Sequence, residues 1–411
     1  MSAPTDRTRD VIVLGGGPGG STTAALLAMR GVDVLLVEKE KFPRFHIGES
    51  LLPIDLPIFR TLGLDLDDGR FVRKAGAEFH DEHDGRFAEY LFAEGLAGTP
   101  GHAFHVDRAL FDHALLTRAR ALGAEVREGQ CVLDVRTDAD GAVVTTSSAS
   151  HRARFVVDAT GQDAFLARRA KTVEPIRGIG IGAVFAHYDC VDDATWQRWM
   201  DKGNIKILIL HEPGGEVFGW SWLIPIVDRR VSFGVVTNKK GVSPALLDEV
   251  ASRSPFVTQL SRGATRTSAR VIRNFSYKNV CPRGERWATV GDASAFLDPV
   301  FSSGVSLAMT GAMELAPLVA AALVDRSEAD PEAVAAMEPR MRRAYDSFSA
   351  LIWSFYNTRI VDHVFFCEDP EPEMRAGLIT LLASDCWRED NRFQNGLLAG
   401  RRHKAAAASS R

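Results

Sequence analysis

The sequence predicts an α/β chain, with an α+β second part, in which a Rossmann-like nucleotide-binding domain carries an inserted antiparallel sheet and a helical C-terminal region. Three observations predict it. A glycine-rich turn joins two apolar segments near the N-terminus, alternating apolar and polar residues fill the middle of the chain, and an aromatic-rich helical pattern begins at about Pro331. The length of 411 residues indicates two or three domains rather than one core.

Bulk composition narrows the class of protein. The hydrophobic share of 45% and the charged share of 25% are typical of a soluble globular protein. A net charge of −4 gives no reason to expect nucleic acid as a partner. The five cysteines lie far apart without a CxxC pair, so we expect reduced, mostly buried thiols. With no signal peptide expected at residues 1–10, we predict a cytoplasmic protein.

A βαβ unit opens the chain. Residues 11–14 are a short apolar strand, residues 21–30 have a helical pattern, and residues 32–38 form a second strand. Between the first strand and the helix lies GGGPGG at residues 15–20.

Each glycine of this turn has a predicted task. Gly15 permits the tight turn, Gly17 lets the backbone approach a pyrophosphate, and Gly20 allows close helix–strand contact. The helix N-terminus then directs its positive dipole end at the phosphates. Glu38 ends the second strand, where its carboxylate can accept hydrogen bonds from ribose hydroxyls.

Later segments are predicted to complete the sheet. Residues 155–161 and 286–293 each resemble a strand followed by a glycine turn, and the second contains Asp292. The order of glycine loop, residues 158–161 and Gly291-Asp292 is typical of FAD proteins with a discontinuous nucleotide domain. We assign residues 1–80, 104–170 and 280–325 to that domain, 81–103 and 171–279 to a sheet-based substrate domain, 326–400 to a helical region and 401–411 to a disordered tail.

The middle of the chain carries WSWLIP at residues 220–225. Strand side chains alternate, so Trp220 and Trp222 are expected to point to the same face. They are either two core tryptophans or, with Pro225, the rigid walls of a channel.

A second motif, DPVFSSGV at residues 298–305, precedes a long apolar segment at 304–324. That segment is predicted to be a buried core helix rather than a membrane span, because it contains Glu314 and Pro317. Its first turn is either an ordinary serine N-cap or an anion site made of free amides.

Other residues give weaker signals. Lys74, read from spacing alone, is a solvated lysine beside Arg70 and Arg73. The eleven histidines show no spacing typical of metal ligands, and no Gly-x-Ser-x-Gly elbow suggests a hydrolase.

Taken together, these motifs resemble the flavin-dependent halogenases, of the pyrrole/phenol-type branch, over the whole chain. The matching strings are GGGPGGST at 15–22, FPRFHIGESLLP at 42–53, KAGA at 74–77, FHVDR at 104–108, WSWLIP at 220–225 and DPVFSSGV at 298–305. The resemblance implies an FAD-binding domain of the aromatic-hydroxylase/glutathione-reductase type.

The resemblance also implies a reaction. A separate flavin reductase supplies FADH2, which with O2 oxidises chloride or bromide to hypohalous acid. The acid crosses an internal tunnel walled by Trp220, Trp222 and Pro225 to the catalytic Lys74, which forms a haloamine or hydrogen-bonds the acid. The implied halide site is Ser303 and Gly304. The implied cofactor-binding residues are Gly15, Gly17, Pro18, Gly20, Ser21, Glu38, Lys39, Arg44, Ser50, Arg108, Asp292, Pro299, Gly304 and Val305.

One departure bears on the substrate. Tryptophan halogenases carry a glutamate before the Ser-Thr-Gly of the anion motif, where this chain has Phe301. The resemblance therefore implies an electron-rich phenol or pyrrole, free or tethered to a carrier protein, rather than free tryptophan. The alternatives on the same fold are a single-component aromatic monooxygenase and a flavin-dependent reductase of unsaturated lipids.

Overall fold

The computed structural model describes residues 7–212 and 214–409. The strands in chain order are β1 (Thr8–Leu14), β2 (Val34–Glu38), β3 (Val72–Lys74), β4 (Gly76–Asp81), β5 (Arg86–Leu91), β6 (Ala103–His105), β7 (Glu125–Glu128), β8 (Val132–Asp138), β9 (Gly141–Thr146), β10 (Ser150–Asp158), β11 (Val173–Pro175), β12 (Gly182–Asp189), β13 (Ile205–His211), β14 (Val217–Ile226), β15 (Arg230–Thr237), β16 (Thr265–Arg266), β17 (Arg270–Arg273), β18 (Tyr277–Asn279), β19 (Arg283–Gly284), β20 (Trp287–Thr289) and β21 (Ala295–Phe296). The helices are α1 (Pro18–Ala28), α2 (Asp55–Leu62), α3 (Arg108–Ala121), α4 (Phe165–Ala170), α5 (Asp193–Trp199), α6 (Pro244–Arg253), α7 (Pro255–Leu260), α8 (Gly304–Asp325), α9 (Met337–Asn357), α10 (Pro372–Leu382) and α11 (Arg392–Ser409).

An eight-stranded sheet with a parallel central run forms the layer that the sequence predicts to bind a nucleotide. Its central order is β20-β10-β1-β2-β7, and every neighbouring pair in that run is parallel. Strands β10 and β20 thus return from distant parts of the chain to the first βαβ unit. The predicted Rossmann-like fold class is confirmed.

Helix α8 lies in the core of this layer. It is long and apolar enough to cross a membrane by length and composition. In the fold it packs against α1, and its apolar side chains belong to the main hydrophobic cluster. Burial on many sides explains why the helix is apolar around most of its circumference.

The inserted sheet has the order β16-β12-β15-β14-β13-β4-β5. Most pairs are antiparallel, as predicted, but β13 and β4 are parallel, so the sheet is mixed. It begins at Gly76, ahead of the predicted boundary at residue 81, because β4 pairs with β5 and β13. Strand β21, which the sequence assigns to the nucleotide domain, pairs with β18 in a small third sheet.

Helices α9, α10 and α11 form the predicted helical C-terminal region. Helix α11 continues through residues 401–409, a segment that the sequence predicts to be disordered. The alanine run at 405–408 has high helix propensity, which the prediction underweighted. Residues 410 and 411 of the predicted tail lie outside the described residues.

The prediction of mostly buried thiols is wrong. All five cysteines are free, and only Cys386 is buried. The other four lie in loops and near strand ends at the surface. Their position in the chain, rather than the apolar character of the thiol, therefore determines their exposure.

Candidate active site

The glycine loop adopts the conformation that its sequence predicts. Gly15 has φ +98°, and a Cβ there would lie 2.4 Å from the Ala159 carbonyl oxygen. A Cβ on Gly20 would lie 1.9 Å from the Gly15 carbonyl oxygen. Pro18 is the first residue of α1, and the Ser21 hydroxyl donates to the Gly16 carbonyl at 2.8 Å. Gly15 and Gly20 are therefore required by the protein's own packing.

Gly17 is different, because the protein itself does not require a glycine there. Its φ of −67° is available to any residue. A methyl group at this position would have Nη2 of Arg44 as its nearest atom, at an ordinary 3.8 Å. The space in front of Gly17 is open, and this is the place where a pyrophosphate would approach the backbone of a dinucleotide-binding loop. The loop fits the predicted FAD.

Glu38 braces the same loop. Its carboxylate accepts from the amide of Gly16 at 2.6 Å and from the amide of Glu40 at 2.8 Å. Lys39, the next residue, lies on the surface and pairs with Asp163 at 2.5 Å. The roles of Glu38 and Lys39 toward a ribose remain predictions.

Arg44 and Arg108 meet at one buried carboxylate, Asp112. Arg108 donates to both oxygens of Asp112 through Nε and Nη2, and Nη1 of Arg44 donates to the same group at 2.9 Å. Burial alone would raise the pKa of Asp112, but Arg108 and Arg44 together with His46 outweigh it and hold the pKa below its ordinary value. Two guanidinium groups share one buried carboxylate beside the glycine loop, and Arg44 also pairs with the carboxylate of Glu40 at 3.8 Å.

The anion motif lies against the nucleotide domain at the start of α8. A Cβ on Gly304 would lie 3.9 Å from Oδ1 of Asp292, so the motif meets the second glycine turn. Pro299 opens the short turn that leads into α8, and Val305 is buried in its first helical turn. Ser303 is the N-cap residue, and its side chain makes no capping hydrogen bond. The ordinary serine-cap interpretation is therefore not supported, and the first-turn amides are left for another acceptor.

Burial raises the pKa of Asp292 to about 7, with Arg108 opposing the rise. Near pH 7 both the protonated and the ionised form of Asp292 are populated. Next to the exposed Gly304 backbone, this carboxyl group can therefore accept or donate a hydrogen bond. This suits a ligand carrying hydroxyl groups.

Lys74 is not a solvated lysine. Only 1% of its surface is exposed, and it ends β3, which pairs with β6. Its Nζ donates to Oγ of Ser50 at 2.8 Å and to the carbonyl of Leu51 at 3.1 Å. Burial lowers the pKa of Lys74 to about 7, against a raising contribution from Asp55. A substantial fraction of the amine is neutral at pH 7.

A small cavity joins Lys74 to the anion motif. Its wall includes Lys74, Phe92, Phe301 and Ser302. It leaves about 10 Å³ for the centre of a water-sized molecule, which is roughly room for a single water. Lys74 thus faces a space the size of about one water molecule, and an aromatic ring requires displacement of the side chains around it.

A larger cavity of about 340 Å³ on the same measure lies elsewhere, lined by Phe45, Phe185, His187, Arg230 and Arg270 among others. The two cavities share no lining residue. Among the described residues, Lys74 borders only the smaller one.

The two tryptophans point to the same face of β14, as predicted, and both are buried. Trp220 donates from Nε1 to Oδ1 of Asp298 at 3.2 Å, and that oxygen also accepts from the amide of Val300. Trp222 donates to Ser232 at 3.0 Å. Trp220 therefore anchors the start of the anion motif.

Neither tryptophan lines the two cavities described above, and neither does the buried Pro225, which pairs with Val231 across β14 and β15. Their role as tunnel walls remains a prediction.

Sequence reasoning missed Asp55. This carboxyl group is fully buried near Lys74 and belongs to the first turn of α2. A signal was present, since a single acidic residue interrupts the apolar run LLPIDLPI at 51–58.

Comparisons with known proteins agree with this geometry. The sequence profile of the Tryptophan halogenase family matches residues 10–97 and 81–396. The chain is 30% identical to the 1H-pyrrole-2-carbonyl-[peptidyl-carrier protein] chlorinase of Pseudomonas fluorescens, over 93% of this chain and 90% of that protein. It is 32% identical to the corresponding brominase of Pseudoalteromonas luteoviolacea, over 77% and 78%.

Solved structures give the same answer. The flavin-dependent brominase Bmp2 superposes with a TM-score of 0.84 at 28% identity, covering 98% of this chain and 100% of that one. The halogenase CndH superposes with a TM-score of 0.76 at 30% identity, covering 94% and 92%. A glycine loop that fits FAD, an anion motif and a buried lysine thus occur in a chain that belongs to the family of flavin-dependent halogenases.

Proposed function

We propose that this enzyme uses FADH2, O2 and chloride or bromide to halogenate an electron-rich aromatic ring, with a pyrrole acyl group on a carrier protein as the favoured substrate. The observation that carries the proposal is that the buried Lys74 lines a cavity that Ser302 of the anion motif also lines. Two relatives at 30% and 32% identity are named for carrier-bound pyrrole substrates, which favours this class over free phenols.

The chain's own residues divide the work. Residues 15–21, together with Asp292 and the Arg44–Arg108 pair, would hold FAD, and reduced flavin with O2 supplies the two-electron oxidation of halide to hypohalous acid. The amides of Ser303 and Gly304, at the positive end of α8, would hold the halide.

The neutral Lys74 amine then attacks the halogen of the acid. The N–halogen bond forms as the O–halogen bond breaks, and the departing hydroxide takes a proton from the nitrogen and leaves as water. An aromatic carbon attacks the halogen as the N–halogen bond breaks, and the proton that the ring loses on regaining aromaticity returns to the Lys74 nitrogen, which restores the amine. The lowered pKa of Lys74 makes the neutral amine that this route requires available near pH 7.

An assay with FAD, a separate flavin reductase, NADH, O2 and bromide tests the reaction. We expect brominated product from pyrrole-2-carbonyl carrier protein and less from the free acid or simple phenols. The reductase is expected to act through a transient contact or through free FADH2. Hydroxylated product that forms without halide would instead indicate the monooxygenase.

The halide site makes a separate prediction. In a crystal soaked in bromide, an anomalous peak is expected beside the amides of Ser303 and Gly304, because the start of α8 offers amide donors and a positive dipole end. Peaks confined to surface lysines and arginines, with none at α8, would contradict this placement.

A further inference from the structure

Asp55 is a buried carboxyl group that the proposed reaction leaves without a task. Its exposed fraction is 0%, and it stands at the first position of α2. Burying an ionised carboxylate is unfavourable unless hydrogen bonds or an opposite charge compensate for the lost water. The position therefore needs a reason beyond packing.

The contacts of Asp55 are asymmetric. Oδ2 accepts from the amide of Leu52 at 3.1 Å and from the hydroxyl of Ser306 at 2.9 Å. Oδ1 is buried and has no hydrogen-bond partner among the described residues. One oxygen is thus fixed in place, and the other retains free acceptor capacity in the interior.

Asp55 and Lys74 bind the two ends of one peptide group. Lys74 donates to the carbonyl of Leu51, while Asp55 accepts from the amide of Leu52, and these atoms belong to the same peptide bond. A carboxylate on the N–H side polarises the peptide and makes its carbonyl a stronger acceptor. The amine therefore gains a better hydrogen bond without touching the carboxylate.

The same network reaches the anion motif. Ser306 belongs to the first turns of α8, a few residues after Ser303 and Gly304. Through Ser306, Asp55 and the Leu51–Leu52 peptide, the helix proposed to hold the halide is connected to the amine proposed to receive the halogen.

We propose that Asp55 is a positioning residue for Lys74, holding the amine and supporting it electrostatically through the Leu51–Leu52 peptide. The inference rests on the proposed function, because it gives Lys74 its catalytic task. Within residues 7–212 and 214–409, Asp55 is the charged group that raises the pKa of Lys74. Both hydrogen bonds of Lys74 go to neutral acceptors, and burial, aided by the Lys74 charge, keeps the pKa of His105 well below its ordinary value.

The direct test is a titration of Lys74 in flavin-free protein labelled with [13C]lysine. The Lys74 Cε resonance is identified by its loss in Lys74→Arg. Burial raises the pKa of Asp55 to about 7, opposed by its hydrogen bonds from Leu52 and Ser306 and by the Lys74 charge. The ionised form of Asp55 in turn raises the pKa of Lys74, so we expect Asp55→Asn to move the midpoint down by at least ~0.5 pH unit. The pH at which halogenation reaches half its maximum should move down with it, and the halogenation rate should fall.

Two further variants keep the test decisive. Ser306→Ala removes one hydrogen bond from the carboxylate but leaves Asp55 in place, so we expect a smaller shift in the same direction, which also tests the idea if Asp55→Asn does not fold. Asp81→Asn alters a similarly buried carboxylate that pairs with Arg86 and His211, and should leave the Lys74 midpoint unchanged.

An identical midpoint in wild type, Asp55→Asn and Ser306→Ala would overturn the role of Asp55, even if the Asp55→Asn enzyme is slow. A wild-type enzyme that makes no halogenated product would reject the proposed function instead. The flavin-free titration would still report whether Asp55 and Lys74 are linked.

Discussion

Lys74→Ala protein is expected to bind FAD as wild type does and to consume FADH2 and O2 at a similar rate, while product halogenation falls at least roughly 100-fold. The separation follows from the geometry. Lys74 borders the small cavity that includes Ser302, and its hydrogen bonds go to Ser50 and Leu51 rather than to the glycine loop or the Arg44–Arg108 cluster. Hypohalous acid that finds no amine should escape and be recovered by a soluble hypohalite trap.

The measurement combines flavin affinity, oxygen consumption, trapped oxidant and halogenated product in one preparation. Lys202→Ala is a suitable control, because Lys202 is a surface lysine paired with Glu89. Unchanged product from Lys74→Ala would remove this residue from the mechanism.

Lys74→Arg separates the two chemical roles available to the lysine. A guanidinium stays protonated and donates hydrogen bonds, but it offers no neutral amine at working pH. The loss of product in this variant is expected to match the loss in Lys74→Ala. Substantial retained halogenation would instead favour hydrogen bonding to the acid over a haloamine.

Local patterns predicted the nucleotide layer well. The strands around the glycine loop and the helix after it depend on residues close together in the chain, so periodicity was sufficient. The helix begins at Pro18 rather than at the predicted residue 21. Proline is favoured at the first position of a helix, but the two glycines that follow it have low helix propensity and hide this start in the sequence. Strands β10 and β20 were found from the order of glycine turns.

The burial of Lys74 and Asp55 cannot be predicted from local sequence patterns. Lys74 follows Arg73 in the sequence, and it is buried by segments that are distant in the chain, among them β6 and the residues Phe92 and Phe301 that line the same cavity. The family resemblance, rather than any spacing, pointed to it. Asp55 was overlooked because its partners, the Leu52 amide and Ser306, come together only when α2 packs near α8.

Alanine substitutions at Gly20 and at Gly17 are expected to have different effects, the first on stability and the second on FAD binding. Gly20→Ala places a Cβ 1.9 Å from the Gly15 carbonyl oxygen, so the helix must move away from the strand. Overpacking of this kind costs roughly 1–3 kcal/mol or more, and the flavin-free protein should melt at a clearly lower temperature. Loss of FAD binding then follows from a displaced loop.

Gly17→Ala should leave the flavin-free protein as stable as wild type, within about 0.5 kcal/mol, because its φ of −67° suits alanine and the nearest atom is 3.8 Å away. Its defect should appear only with ligand. If the pyrophosphate approaches this backbone, the added methyl group costs about 1–3 kcal/mol of binding and weakens FAD roughly 10- to 100-fold. Thermal melts without flavin and titrations with FAD separate the two effects. Wild-type FAD affinity in Gly17→Ala would indicate that the pyrophosphate does not approach Gly17. A lowered melting temperature without flavin would instead indicate that Gly17, like Gly20, is needed for the structure of the protein itself.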